Sequence, residues 1–216
     1  FEVGIDFRVH IRDDGSFDFI WQGEQIEMPA PSLQGVHQVQ NASLALAAMK
    51  MATPDAFTPA AFNGISQAKW PGRIQELQTG KLKNVLGSGH PLWLDGAHNA
   101  HGAAALVTTL KSLSQQKWIV IFGALNTRPP EAFFTQIKPV ASTIHTLEIS
   151  GQPAALSAQE LAAAAMSANI PAEPATCLAE ALARIKQTAL PNTPVIICGS
   201  LYLAGQVLEE NQTLPD

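Results

Sequence analysis

Apolar positions recur along this chain with two different periods, and the change of period divides it. Over residues 3–11 hydrophobic and polar side chains alternate, Asp13-Asp14-Gly15-Ser16 supplies turn chemistry, and Phe17 to Trp21 resumes a strand-like run. This pattern predicts an antiparallel hairpin. After Pro29-Ala30-Pro31, the residues Val39, Ala42, Leu46 and Met49 return at intervals of three and four, the spacing of one helix face over about His37 to Met51. Thr58-Pro59 reads as an N-cap followed by Pro at the first helical position, opening a second helix that ends near Lys69. Trp70-Pro71-Gly72 then breaks the chain.

Past that break and a mixed region up to Gly89, short apolar runs alternate with amphipathic ones. Leu92 to Leu94, Trp118 to Phe122, Thr143 to Ile149 and Val195 to Cys198 read as strands. Between them lie a helix with Gly102, Leu106, Leu110 and Leu113 on one face, and another near Pro130 to Ile137. A third opens with the capping box Ser157-Ala158-Gln159-Glu160, a fourth carries Leu178, Leu182 and Ile185, and a last one starts at about Leu201. Repeated strand-then-helix units predict an α/β domain with a mostly parallel sheet covered on both faces, and ligand sites at the carboxyl ends of its strands. The expected organisation is two domains, residues 1–72 and 73–216. No internal repeat or low-complexity segment interrupts it.

Composition narrows the functional classes. With 216 residues, 46% of them hydrophobic, the chain can build a real core. Thirteen Lys and Arg against eighteen Asp and Glu give a net charge of −5, so no basic field draws nucleic acid or anionic lipid. The longest strongly apolar runs are strand-sized, and no transmembrane helix is expected. Only 14% of residues are charged, against the usual quarter or so, which points to weakly polar surface covered by another segment. The opening Phe1-Glu2-Val3-Gly4 has neither an initiator Met nor the layout of a secretory signal, as if the chain starts in mid-protein. Cys177 and Cys198 form no CxxC and have no His at metal-ligand spacing, which reads as two buried thiols in a cytoplasmic protein.

In such sheets the informative residues stand just after a strand. One segment is Asp95-Gly96-Ala97-His98-Asn99-Ala100-His101-Gly102, with an acid, an imidazole and an amide at a strand-to-helix junction; the other is Cys198-Gly199-Ser200-Leu201-Tyr202. Several familiar chemistries fail here. His98 and His101 lack a third zinc ligand. Ser200 is not in a GxSxG elbow, because Cys198 stands two residues before it, so capping or anion binding suits it better. Gly87-Ser88-Gly89 precedes a strand and has Leu92 where a dinucleotide fingerprint needs glycine. No GxxxxGK[ST] phosphate loop occurs in these residues.

Four motifs nonetheless carry a pattern: Leu33-Gln34-Gly35-Val36-His37-Gln38-Val39-Gln40-Asn41-Ala42, Trp70-Pro71-Gly72-Arg73, Leu94-Asp95-Gly96-Ala97-His98-Asn99 and Gly199-Ser200-Leu201-Tyr202. In that order they resemble the folylpolyglutamate synthase and dihydrofolate synthase family, which is similar to the Mur ligases. The resemblance spans essentially all 216 residues but only the second half of a family member. It implies the tail of a central Mur-type ATPase domain, a hairpin plus helices, followed by a Rossmann-like C-terminal domain. It further implies an ATP-dependent ligase in which a pteroate or folate carboxylate becomes an acyl phosphate and L-glutamate's amine then forms the amide. ATP and Mg²⁺ would be the cofactors, with the phosphate loop and metal ligands upstream of this chain and no metal ligand within it. The expected partners are dihydropteroate or a reduced folate and L-glutamate, the chain acting as a monomer.

By the same resemblance Asn41 would meet the nucleotide, Arg73 its phosphates and Asp95 the ribose hydroxyls. His98, the catalytic candidate, would sit beside the phosphates or the incoming glutamate, and Ser200 would help hold glutamate. Two departures stand out. Ala100 occupies a position where many members have Pro, and Leu125-Asn126-Thr127-Arg128 replaces a Lys-Asp pair, leaving Arg128 to read as a solvated loop charge. Two rivals remain: a Mur-type ligase for another amino acid, disfavoured by His98-Asn99 where those enzymes tend to have two histidines, and a non-catalytic nucleotide-binding module.

Overall fold

In the computed structural model, which describes residues 4–214, the N-terminal hairpin is the first part of a three-stranded antiparallel sheet. Its strands are β1 (Phe7–Ile11), β2 (Phe17–Trp21) and β3 (Glu24–Met28). Val3, where the sequence pattern begins, lies outside the described residues. Gln22 and Gly23 both have positive φ, 48° and 88°, the backbone of a tight two-residue turn that sends the chain straight back along β2. β3 escapes a reading by hydrophobicity because only Met28 of its five residues is buried. Alternate residues of the sheet, among them Phe7, Phe17, Phe19, Trp21 and Met28, face one core. Val39, Leu46 and Ala47 of α1 (Val36–Ala52) and Phe62 of α2 (Pro59–Gln67) complete it. The Thr58 hydroxyl caps α2 by accepting the Ala61 N–H at 3.4 Å, and Pro59 takes the first helical position.

The chain divides into two compact units between Trp70 and Pro71. Gly72 goes with the second unit for a visible reason: its carbonyl accepts the Gly96 N–H at 2.7 Å. The second unit holds a six-stranded sheet in the order β4-β5-β9-β6-β7-β8. The strands are β4 (Gln75–Glu76), β5 (Leu92–Leu94), β6 (Trp118–Phe122), β7 (Ala141–Thr146), β8 (Ala172–Pro174) and β9 (Val195–Cys198). All pairs are parallel except β4 with β5. The fold is therefore α/β with a mostly parallel sheet.

Period two along the central strands sorts side chains between two cores. Trp118, Val120 and Phe122 of β6, with Ile196 and Cys198 of β9, face the side covered by α4 (Ala100–Leu113), α5 (Glu131–Ile137) and α6 (Ala158–Ser167). Ile119, Ile121, Val195 and Ile197 face α3 (Lys81–Leu86), α7 (Leu178–Thr188) and α8 (Leu201–Asn211) on the other. Burial on both faces is why these strands read as unbroken apolar runs. Both elements of the Ser157–Glu160 capping box form.

Several local expectations need correction. β7 runs over Ala141–Thr146 instead of Thr143 to Ile149; Leu147 and Ile149 stay buried but have left the strand. Leu113 is 38% exposed, since α4 reaches its last turn there. Cys177 is exposed at the N-cap of α7, and only Cys198 is buried; both are free thiols. β4, α3 and β8 lie in stretches too short or too polar for periodicity to reveal. No helix of the described residues is long and apolar enough to cross a membrane.

Candidate functional site

β9 lies between β5 and β6, and the chain leaves these neighbours for opposite faces of the sheet: β5 leads into α4, β9 into α8 and β6 into α5. Diverging connections open a crevice at the carboxyl ends of the strands. Here the crevice is a cleft of about 410 Å³, walled by residues 98–100 after β5, by Phe122 and the 124–133 segment after β6, and by residues 199–202 after β9.

Each wall is shaped by its own backbone. Gly199 has φ of 113°, and a Cβ there would stand 2.5 Å from the Gly123 carbonyl oxygen and 2.6 Å from the Phe122 ring, so only glycine lets β9 pass so close to the β6 loop. Ser200 follows as the N-cap of α8, 5% exposed, its Oγ accepting the Tyr202 N–H at 3.0 Å. The hydroxyl proton stays available to a ligand. Asn99 caps α4 by accepting the Gly102 N–H at 2.8 Å. His98, exposed, lies 2.9 Å through Nδ1 from the Gly96 carbonyl, which can only accept, so Nδ1 is the donor and Nε2 is the nitrogen left to accept a proton.

Asp95 is 6% exposed and does not line the cleft. Its Oδ1 accepts the Ala97 N–H at 2.7 Å and its Oδ2 the Ile74 N–H at 3.0 Å. The carboxylate thus ties the start of the 95–99 loop to the turn that carries Arg73. Burial, reinforced by this carboxylate, pushes the Cys198 thiol well above its ordinary value. Arg73 is half-buried and also lies off the cleft. Asn41 belongs to the first unit, exposed on α1, with Nδ2 donating to Gln38 Oε1 at 3.0 Å.

The sequence-predicted residues therefore fall into three places. His98 and Ser200 share the cleft; Asp95 and Arg73 share the turn beside β5; Asn41 stands in the other unit. Arg128, read from sequence as a solvated charge, is exposed and at the same time lines the cleft. Pro129, Pro130, Phe133 and Tyr202 give the cleft an apolar wall to which sequence reasoning assigned no role. Tyr202 already stood inside a quoted motif. Among the described residues no group of three or more His, Cys, Asp or Glu could hold a metal ion.

Residues 82–201, more than half of the chain and all three walls of the cleft, match the family described as the Mur ligase, glutamate ligase domain, apart from Tyr202 at its edge. The chain belongs to this family. The chain is 27% identical over 196 residues to the dihydrofolate synthase/folylpolyglutamate synthase of Bacillus subtilis, covering 88% of the chain and 43% of that relative. Its fold is similar to that of E. coli FolC in complex with DHPP and ADP, with a TM-score of 0.79, 21% identity, and coverage of 96% of this chain and 46% of that one. It is similar as well to a bifunctional folylpolyglutamate synthase/dihydrofolate synthase with Mn, AMPPNP and L-glutamate bound, at a TM-score of 0.77, 21% identity, and 97% and 47% coverage. The domain and the unit before it thus span somewhat under half the length of these relatives.

Proposed function

We propose that this chain is part of an ATP-dependent ligase that joins L-glutamate to a pteroate or folate carboxylate. The observation that carries the reading is the cleft at the ends of β5, β9 and β6, in which an imidazole, a helix-capping hydroxyl and an arginine converge within a glutamate ligase domain. A carboxylate is a poor electrophile. Its oxygen attacks the γ-phosphorus of ATP, ADP leaves, and the resulting acyl phosphate has a good leaving group. The glutamate amine then attacks the acyl carbon, a C–N bond forms, the C–O bond to phosphate breaks, and the nitrogen loses a proton.

In this reading His98 Nε2 takes that proton, the acceptor role left open when Nδ1 donates to Gly96. Ser200 donates its hydroxyl, and the free N–H groups at the start of α8 favour an anion, so this end of the cleft suits a glutamate carboxylate. Arg128 supplies a cation on the opposite wall. Arg73 meets the ATP phosphates, Asp95 the ribose hydroxyls and Asn41 the adenine edge. The first unit is then the tail of a central ATPase domain. Among the described residues no cluster of ligands forms a metal site, and the ligands for Mg²⁺ and the phosphate loop would come from sequence outside these 216 residues.

Glutamate-dependent ADP release by the native-length polypeptide tests the reading. We expect His98→Ala and Arg73→Ala each to lower turnover at least about a hundredfold, the scale of losing a catalytic proton acceptor or a phosphate-clamping cation. The 216-residue chain alone should release none. Unchanged turnover in both variants would contradict the assignment.

A further inference from the structure

Ile74 stands in the left-handed region with φ of 45°, a conformation that a β-branched residue adopts only when its surroundings compel it. The surroundings that compel it are visible. Its N–H donates to Asp95 Oδ2 at 3.0 Å, while Asp95 Oδ1 accepts the Ala97 N–H and its own N–H donates to the Ile197 carbonyl in β9. Two residues earlier the same turn is laced again, Gly96 N–H to Gly72 carbonyl at 2.7 Å and Gly72 N–H to Gln75 Oε1 at 3.0 Å. Gly72 itself has φ of 70°, and a Cβ on Gly96 would strike Leu201 at 2.3 Å. Residues 72–75 are thereby fixed against the end of β5. The one side chain this turn presents without a partner among the described residues is Arg73, half-buried between the two left-handed positions.

Backbone strain held in place by a buried carboxylate, with an unpaired guanidinium at its centre, is what pre-organisation of a cation requires. We propose that Asp95 is a positioning residue for Arg73: by holding the strained Ile74 amide it sets the direction in which the guanidinium points, before any anion arrives. The proposal rests on the reading that Arg73 meets the ATP phosphates, and it assigns Asp95 a role that its suggested contact with the ribose does not include. A guanidinium fixed by its backbone loses less freedom on binding phosphate than one on a free loop.

Two measurements on the native-length polypeptide decide it. Amide hydrogen exchange should show Ile74 protected in the wild type and exposed in Asp95→Ala, with Val120 and Ile196 in the central strands protected in both as the control for folding. If Asp95→Ala does not fold, Asp95→Ser is the substitute. The second measurement is a double-mutant cycle on ATP affinity. With a 2′,3′-dideoxyribose ATP analogue, which removes any ribose contact, Asp95→Ala should weaken binding at least about tenfold when Arg73 is present and less than about twofold in an Arg73→Ala background, the non-additivity of residues that act through one another. A role in ribose contact alone would instead leave the affinity for this analogue unchanged by Asp95→Ala, and would likewise overturn the proposal. Additive losses, or an Ile74 amide that stays protected without Asp95, overturn the proposal. An Arg73→Ala variant that binds ATP normally would instead count against the nucleotide reading, and the exchange at Ile74 would still judge the clasp.

Discussion

Single atoms decide most of the site. Gly199 is the clearest case, because a methyl group there would meet both the Gly123 carbonyl and the Phe122 ring while the backbone keeps φ of 113°. Gly199→Ala should therefore lower stability by about 1–3 kcal/mol from strain alone, read as a fall in the urea midpoint with the slope unchanged. The two cysteines separate by the same kind of reasoning. Cys177 is exposed, while Cys198 is buried and its thiolate is disfavoured by that burial and by Asp95. A thiol reagent should label one equivalent in the native chain and two after denaturation. His145, 4% exposed, has an Nδ1 without a hydrogen-bond partner among the described residues, and burial lowers its pKa. Glu173, opposite it on β8, raises the value, and Arg184 of α7 lowers it further. The unfolded chain binds a proton on this ring near pH 6.5 while the folded chain still resists, so stability is lost as pH falls from about 6.5 toward the depressed folded value. His145→Leu should flatten that part of the stability–pH curve.

Helices and strands show where the sequence could be read and where it could not. The helices with strong local signals appear as expected: Thr58-Pro59 opens α2 and the Ser157–Glu160 box opens α6, since each cap uses only residues of its own turn. β6 and β9 were legible because burial on both faces makes them continuously apolar. α3 was not, because what holds it is remote in sequence. Asn211 at the end of α8 accepts the Leu82 and Lys83 N–H groups at 2.9 and 3.2 Å and donates to the Thr79 carbonyl at 2.8 Å, a cap supplied by another helix. Asn211→Ala leaves these buried groups unpaired and should cost about 2–3 kcal/mol, measured by thermal or urea unfolding. β3 and β8 were missed for a related reason, their outward residues being too polar to mark a strand that only its neighbours define.

At the scale of the molecule, the strand order decides where chemistry sits. Placing β9 between β5 and β6 brings residues 98–100, 124–133 and 199–202 around one cleft, although together they span residues 98 to 202 of the chain. The sequence named His98 and Ser200 because each follows a strand; it left Arg128 as a loop charge because nothing local says which loop faces the cleft. The Ile74–Asp95 clasp was likewise hidden, since a left-handed isoleucine has no sequence signature. The proposed reading makes these two compact units, with the cleft in the second, part of a folate glutamate ligase. The direct measurement is mass spectrometry of products after incubating the native-length polypeptide with ATP, Mg²⁺ and L-glutamate, with dihydropteroate and with a reduced folate in separate reactions. The account predicts the mass gain of at least one glutamate on one or both, abolished by His98→Ala; no gain on either would contradict it.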